Sequence, residues 1–285
     1  MITLFDIIDF IKSNEDISVK LNSTSLHHLQ VSTVSNLIED NQDPTVLFWV
    51  NEKNLQKIEK LNTGILISPK EVTNSFKGVT IISKNPKYTF SSIIKRFFQP
   101  VLDTETSVGQ GTIIDDNVII GNNVKIGYNN VIYAGTVIKD NVTIGSNNTI
   151  GGVGFGYAKN KLGEWEVVPH IGGVLIEENV EIGNNTCIDR AVLGNTHLQK
   201  NCKIDNLVHI AHGAVIGENS LIIANAVVAG SVVIGANTWI APSTTIINGS
   251  TVGSNSMTGL GSVVISNIGD SELFVGVPAK KIKDL

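Results

Sequence analysis

The segment DNLVHIAHGAVIG, residues 205–217, holds side chains suited to moving a proton at neutral pH. Histidine titrates near neutrality, and a positioned general base contributes about 10²–10⁴-fold to a rate. His209 and His212 stand three residues apart, with the carboxylate of Asp205 upstream. Two histidines are also half of a zinc site, but no compelling third and fourth ligands accompany them. On spacing alone, His212 is equally an exposed structural histidine. The two cysteines, Cys187 and Cys202, suggest neither a disulfide framework nor a covalent nucleophile.

What must position these residues is a repeat. An aliphatic residue recurs every six positions from Val108 to Ile150, from Ile176 to Ile188 and from Leu198 to Val252. It falters at Thr258 and returns at Val264. A period of six fits a parallel β-helix, in which each hexad is one short strand plus a corner. Gly and Asn after the aliphatic residue suit corners, because both tolerate positive φ. His212 is the third residue of the hexad starting at Ile210, near a corner and outside the aliphatic column. Two segments leave the repeat. VGFGYAKNKLGEWEVVPH, 153–170, is an excursion carrying Phe155, Tyr157 and Trp165, and RAVLGNTH, 190–197, shifts the frame by four residues. Loops projecting from a rigid scaffold are where sites tend to sit.

Residues 1–100 read differently. LFDIIDFIKS has helical spacing, and TVLFWV, TGILIS and GVTIIS are short apolar strands interleaved with helix candidates. Strand–helix–strand order implies a partly parallel sheet. The expected organisation is an α+β N-terminal domain over 1–100, a β-helix over 101–273 and a short tail over 274–285. With 21 basic and 26 acidic residues the net charge is −5, which argues against nucleic-acid binding through a general basic surface. A 42% hydrophobic and 16% charged composition supplies a core and excludes disorder. No apolar run approaches the roughly 18 residues of a membrane span, and the first residues do not read as a signal peptide. A soluble cytoplasmic protein is the expectation.

The hexads resemble those of the hexapeptide acyltransferase superfamily, which implies a left-handed β-helix with three hexads per coil and a homotrimer. GFGYA (154–158), GEWEVVP (163–169), TCIDRA (186–191) and DNLVHIAHGAVIG together resemble the UDP-3-O-(3-hydroxyacyl)glucosamine N-acyltransferases of lipid A synthesis. FWVNEKN (48–54) and KNPKYTF (84–90) resemble the segments with which that family holds its nucleotide. The resemblance implies that His212 is the general base and Asp205 a supporting carboxylate. It also makes Phe48, Asn51, Asn85 and Tyr88 nucleotide contacts, although Phe48 equally fits a buried strand. Phe155, Tyr157, His209 and Asn225 are expected to meet the acyl donor or the sugar. With 18 residues per coil, Gly230 lies one coil beyond His212 at the same corner, its N–H a candidate oxyanion donor.

Three positions depart from the family pattern. Its second active-site histidine is replaced in IINGST (246–251) by Gly249 in the hexad frame and Ser250 after Asn-Gly. An aromatic partner of the nucleotide base is replaced by Asn54, and FVGVPAKKIKDL stands where a long helical extension is expected. That ending resembles small CoA-dependent acetyltransferases, and the cluster around Lys280 and Lys281 suits a CoA phosphate as well as a solubilising tail. The resulting expectation is N-acyl transfer from a short-chain acyl-CoA to a nucleotide-linked amino sugar, with no metal and no permanently bound cofactor. The second reading is the lipid A enzyme itself, using acyl carrier protein. A β-helix that binds or scaffolds without catalysis is a third.

Overall fold

The computed structural model describes residues 2–14, 18–20, 29–35, 43–60, 63–72, 76, 78–99 and 105–285. The chain separates into two compact units, Met1–Leu102 and Asp103–Leu285. Pro100, where the composition changes, lies outside the described residues.

In the first unit the apolar runs form β1 (Ser18–Lys20), β2 (Thr33–Val34), β3 (Val46–Trp49), β4 (Ile65–Ser68) and β5 (Val79–Ile82). They lie in the order β1-β5-β4-β3-β2, parallel except for β1. A strand buried on both faces needs no polar alternation, and that is the pattern of VLFW and ILIS. One face packs Leu47, Ile65 and Ile67 against Leu4, Ile7 and Ile11 of helix α1 (Leu4–Asn14) and Ile93 of helix α2 (Pro86–Ile93). The other buries Val46, Phe48, Leu66, Ile58 and Phe76 together. NEKNLQKIEK becomes a 3-10 helix, Glu52–Lys60, rather than an α-helix.

The second unit is the β-helix. Its two- to five-residue strands stack in three parallel sheets, with the expected inward residues in register. Ile132 pairs with Ile150 and Ile210 with Val228, each 18 residues apart. The excursion lengthens one coil, so Ile150 pairs with Ile188. The second insertion makes the next spacing 22, pairing Ile188 with Ile210. Asparagines such as Asn123 (φ 53°) and Asn141 (φ 59°) turn the corners in the left-handed region, where asparagine is tolerated. Inside the column, buried Asn130 and Asn148 form a ladder. Asn148 N–H donates to Asn130 Oδ1 at 2.9 Å, and Thr186 N–H donates to Asn148 Oδ1 at 2.8 Å. Thr258 keeps its inward place because its hydroxyl accepts from Ala241 N–H at 2.9 Å.

Residues 272–285 are not a loose tail. Glu272–Val275 joins the sheet beside Met257–Thr258, and Lys280–Asp284 pairs antiparallel with it. No helix among the described residues is long and apolar enough to cross a membrane.

Candidate active site

His212 follows the strand His209–Ile210, whose inward Ile210 is fully buried and anchors the corner. Glycines press on this histidine from two segments. A Cβ at Gly230 would stand 2.7 Å from His212 Cε1 and 2.8 Å from Nε2. A Cβ at Gly154 would stand 3.0 Å from His212 Cβ and 3.1 Å from Cδ2. Only glycine leaves room for the ring in this position. The imidazole borders an open cavity of about 470 Å³ lined by Phe155, Asp189, His209, Gly230, Asn248 and Gly249 among others. Where the family's second histidine was expected, the backbone turn Asn248–Gly249 lines this cavity, and Ser250 is buried.

Two residues of the site were not singled out in the sequence. Asp189, in the TCIDRA motif, sits within 3.7 Å of His209 Nε2, its side chain only 16% exposed. Burial pushes its carboxyl above the usual carboxylate range, against the opposing pull of His209, His212 and His170. His170, at the end of the excursion, is buried with its ring edge-to-face against His212, centroids 5.2 Å apart. Its Nδ1 donates to Val168 O at 2.7 Å, because a carbonyl can only accept. Its Nε2 is buried without a hydrogen-bond partner among the described residues.

Several expected site residues lie elsewhere. The carboxylate of Asp205 ties its own corner, accepting from Asn206 N–H at 2.7 Å and Ala224 N–H at 3.1 Å. The strand His209–Ile210 separates Asp205 from His212, so the two stand at successive corners. Asn225 stands at the corner of Asp205, donating to Ser243 Oγ at 3.2 Å. Phe48 is a correction, because it is 0% exposed and a ring without surface cannot stack on a base. It packs instead under Gly64, where an added Cβ would meet its ring at 2.8 Å.

Asn51 accepts from Asn54 N–H at 3.1 Å and Asn85 from Tyr88 N–H at 3.3 Å, each capping a helix start. Tyr88 is exposed. Phe155 and Tyr157 stand on the excursion with ring centroids 4.8 Å apart, and with Trp165 they line a second, apolar cavity of about 670 Å³. Phe155 lines both cavities. Lys281 is paired with Glu272 at 2.6 Å and Asp284 at 2.7 Å, whereas Lys280 is exposed.

The thiols offer no ready nucleophile, since burial pushes Cys202 up to about 12 and raises Cys187 as well. Among the described residues, no three His, Cys, Asp or Glu side chains are grouped to hold a metal.

Residues 117–152 and 195–230 match the family described as bacterial transferase hexapeptide (six repeats). A UDP-3-O-acylglucosamine N-acyltransferase of Helicobacter pylori is 38% identical over 217 residues, 65% of this chain and 65% of that protein. A UDP-3-O-acylglucosamine N-acyltransferase of Sulfurimonas denitrificans is 35% identical over 242 residues, covering 74% of this chain and 76% of the relative. The chain spans 57% of the length of a relative from another Helicobacter pylori strain. Among solved structures, LpxA from Acinetobacter baumannii aligns with a TM-score of 0.51 at 22% identity, covering 64% of this chain and 69% of that one. That likeness is one of fold, and the β-helix here is of the same left-handed kind.

Proposed function

The chain belongs to the UDP-3-O-acylglucosamine N-acyltransferase family, and from that premise we propose that it transfers an acyl group from a thioester to the amino group of a UDP-3-O-acylglucosamine. The name shared by its relatives favours this acceptor over a general nucleotide-linked amino sugar. The observation that carries the reading is His212, confined between Gly154 and Gly230 at the edge of an open cavity of about 470 Å³.

The chemistry follows from that placement. The amine nitrogen attacks the thioester carbonyl carbon while His212 takes a proton from it. The Gly230 N–H is proposed to stabilise the oxyanion of the tetrahedral adduct. The C–S bond then breaks, and the departing thiolate receives the proton from His212. Atoms balance as amide plus thiol, with no acyl-enzyme. An acyl chain lying along Phe155, Tyr157 and Trp165 reaches His212 through the cavity wall that Phe155 shares.

Exposed Asn51, Asn85 and Tyr88 are the first unit's proposed contacts for the nucleotide. The donor is a thioester of CoA or of acyl carrier protein. The ion pairs of Lys281 weaken the case for a CoA-phosphate site at the C-terminal hairpin. We further infer a homotrimer, because outward Val233, Trp239 and Ile247 are exposed on the β-helix.

Thiol release from matched acyl-CoA and acyl carrier protein donors, with UDP-3-O-acylglucosamine and other nucleotide amino sugars, tests the proposal. The reading requires UDP-3-O-acylglucosamine to give the highest kcat/KM. Thiol release with no acceptor preference overturns it.

A further inference from the structure

The strongest unexplained feature of the cavity is Asp189. Its side chain is only 16% exposed, and its surface opens into the cavity that His212 borders. No donor among the described residues lies within hydrogen-bond distance of its carboxylate, and the nearest cationic candidate, His209 Nε2, is 3.7 Å away. The neighbouring Arg190 does not turn to it, since its guanidinium donates to Gly151 O at 2.7 Å and Ala134 O at 2.9 Å. A largely buried carboxylate without donors is costly to the fold, and burial raises its pKa here. Such a cost is commonly met at a site that a ligand completes.

We propose that Asp189 is the subsite that captures the acceptor's primary amine as an ammonium ion, with His209 flanking it. This rests on the amino-sugar reading above and adds the residue that selects for the amine. The positively charged group supplies up to three N–H donors to a carboxylate that has none among the described residues, and charge-assisted bonds of this kind are the stronger class. Asp189 and His212 line one cavity, so an ammonium held at Asp189 has its nitrogen beside the base. Loss of one proton to cavity water frees the lone pair, and the attack on the thioester then proceeds with His212 taking the next proton. A hydroxyl or an already acylated nitrogen carries no charge for Asp189 to meet. The same carboxylate therefore discriminates an amine acceptor from an alcohol and substrate from product. The Nε2 of His170 faces Gly154, and His170 does not line this cavity.

Calorimetric titration of UDP-glucosamine and UDP-N-acetylglucosamine into wild-type protein and Asp189→Asn tests this. The two probes differ only in the charge and substitution of the nitrogen. Wild type is expected to bind UDP-glucosamine more tightly, and Asp189→Asn to lose about 10- to 100-fold for UDP-glucosamine. Its affinity for UDP-N-acetylglucosamine should stay within about twofold, because no charged partner is lost there. Asp189→Ser serves as the second variant if the amide form does not fold. Equal weakening of both probes, or an unchanged affinity for UDP-glucosamine, overturns the assignment of Asp189 while leaving the proposed reaction standing. A wild-type protein that binds neither probe overturns this subsite, and the reaction on UDP-3-O-acylglucosamine is then decided separately by thiol release.

Discussion

Gly230→Ala is the sharpest single perturbation of the proposed catalytic geometry. The added methyl carbon would stand 2.7 Å from His212 Cε1 and 2.8 Å from Nε2, whereas ordinary contact begins at 3.4 Å. The imidazole must therefore retreat by about 0.7 Å, and Gly154 limits where it can go, since its own Cβ position lies 3.0 Å from His212 Cβ. Gly230 is not among the positive-φ glycines, so alanine fits the backbone there without strain. The methyl group acts on the histidine and not on the coil, and Gly→Ala at a compatible φ tends to stabilise by about 0.4–1 kcal/mol through the unfolded chain. A displacement approaching 1 Å in a reacting group costs on the order of 10²-fold. The expectation is a kcat lowered by about 10²-fold with an unchanged or slightly raised Tm, measured by thiol release and differential scanning calorimetry. A variant that keeps a third or more of wild-type kcat refutes the reasoning, because His212 would then not need the space over Gly230. A collapse of Tm would refute it differently, by making Gly230 structural.

Phe48→Ala removes a fully buried ring from the first unit and should cost about 3–5 kcal/mol of that unit's stability. A large rise in KM for the nucleotide sugar at unchanged Tm would restore the stacking role instead. Asp205→Ala strips acceptors from Asn206 N–H and Ala224 N–H, and each donor left unpaired costs roughly 1–3 kcal/mol. Thermal melts should show the loss, and a kcat loss without it would return Asp205 to the chemistry. The raised pKa of Asp189 means the folded state binds its proton more readily than the unfolded state. Its stabilising contribution is therefore full below the ordinary carboxylate pKa and is lost as pH rises through the raised value. In Tm measured from pH 3 to 8, Asp189→Asn should gain on wild type as pH rises, and a gap that widens toward acid would contradict the burial argument.

The β-helix is legible in the sequence almost residue by residue, because its period is local and the sixth-residue positions are aliphatic with the exception of Thr258. Even the four-residue insertion is visible, and the observed pairing of Ile188 with Ile210 is its direct consequence. That same shift conceals Asp189. Counting 18 back from His209 lands on Ala191, whereas the true partner is Cys187, which brings Asp189 one coil away from the histidines. Applying the frame shift to the site, and not only to the core, is the signal that finds it. His170 has no such signal, since the excursion that carries it follows no period. Asp205 and His212 are near in sequence, yet the strand His209–Ile210 puts them at successive corners. Phe48 misleads because its strand is apolar on both faces, and alternation cannot say which side meets a ligand.

In the proposed reaction His212 drives amide formation on UDP-3-O-acylglucosamine. Mass spectrometry of the product formed from an acyl thioester and UDP-3-O-acylglucosamine, with wild-type protein and His212→Ala at equal concentration, tests it most directly. The account predicts an N-acylated product from wild type and a kcat lower by about 10²–10⁴-fold in the variant, at equal Tm. Acylation on oxygen, no acylated product from wild type, or a variant that retains more than about a tenth of wild-type kcat would contradict it.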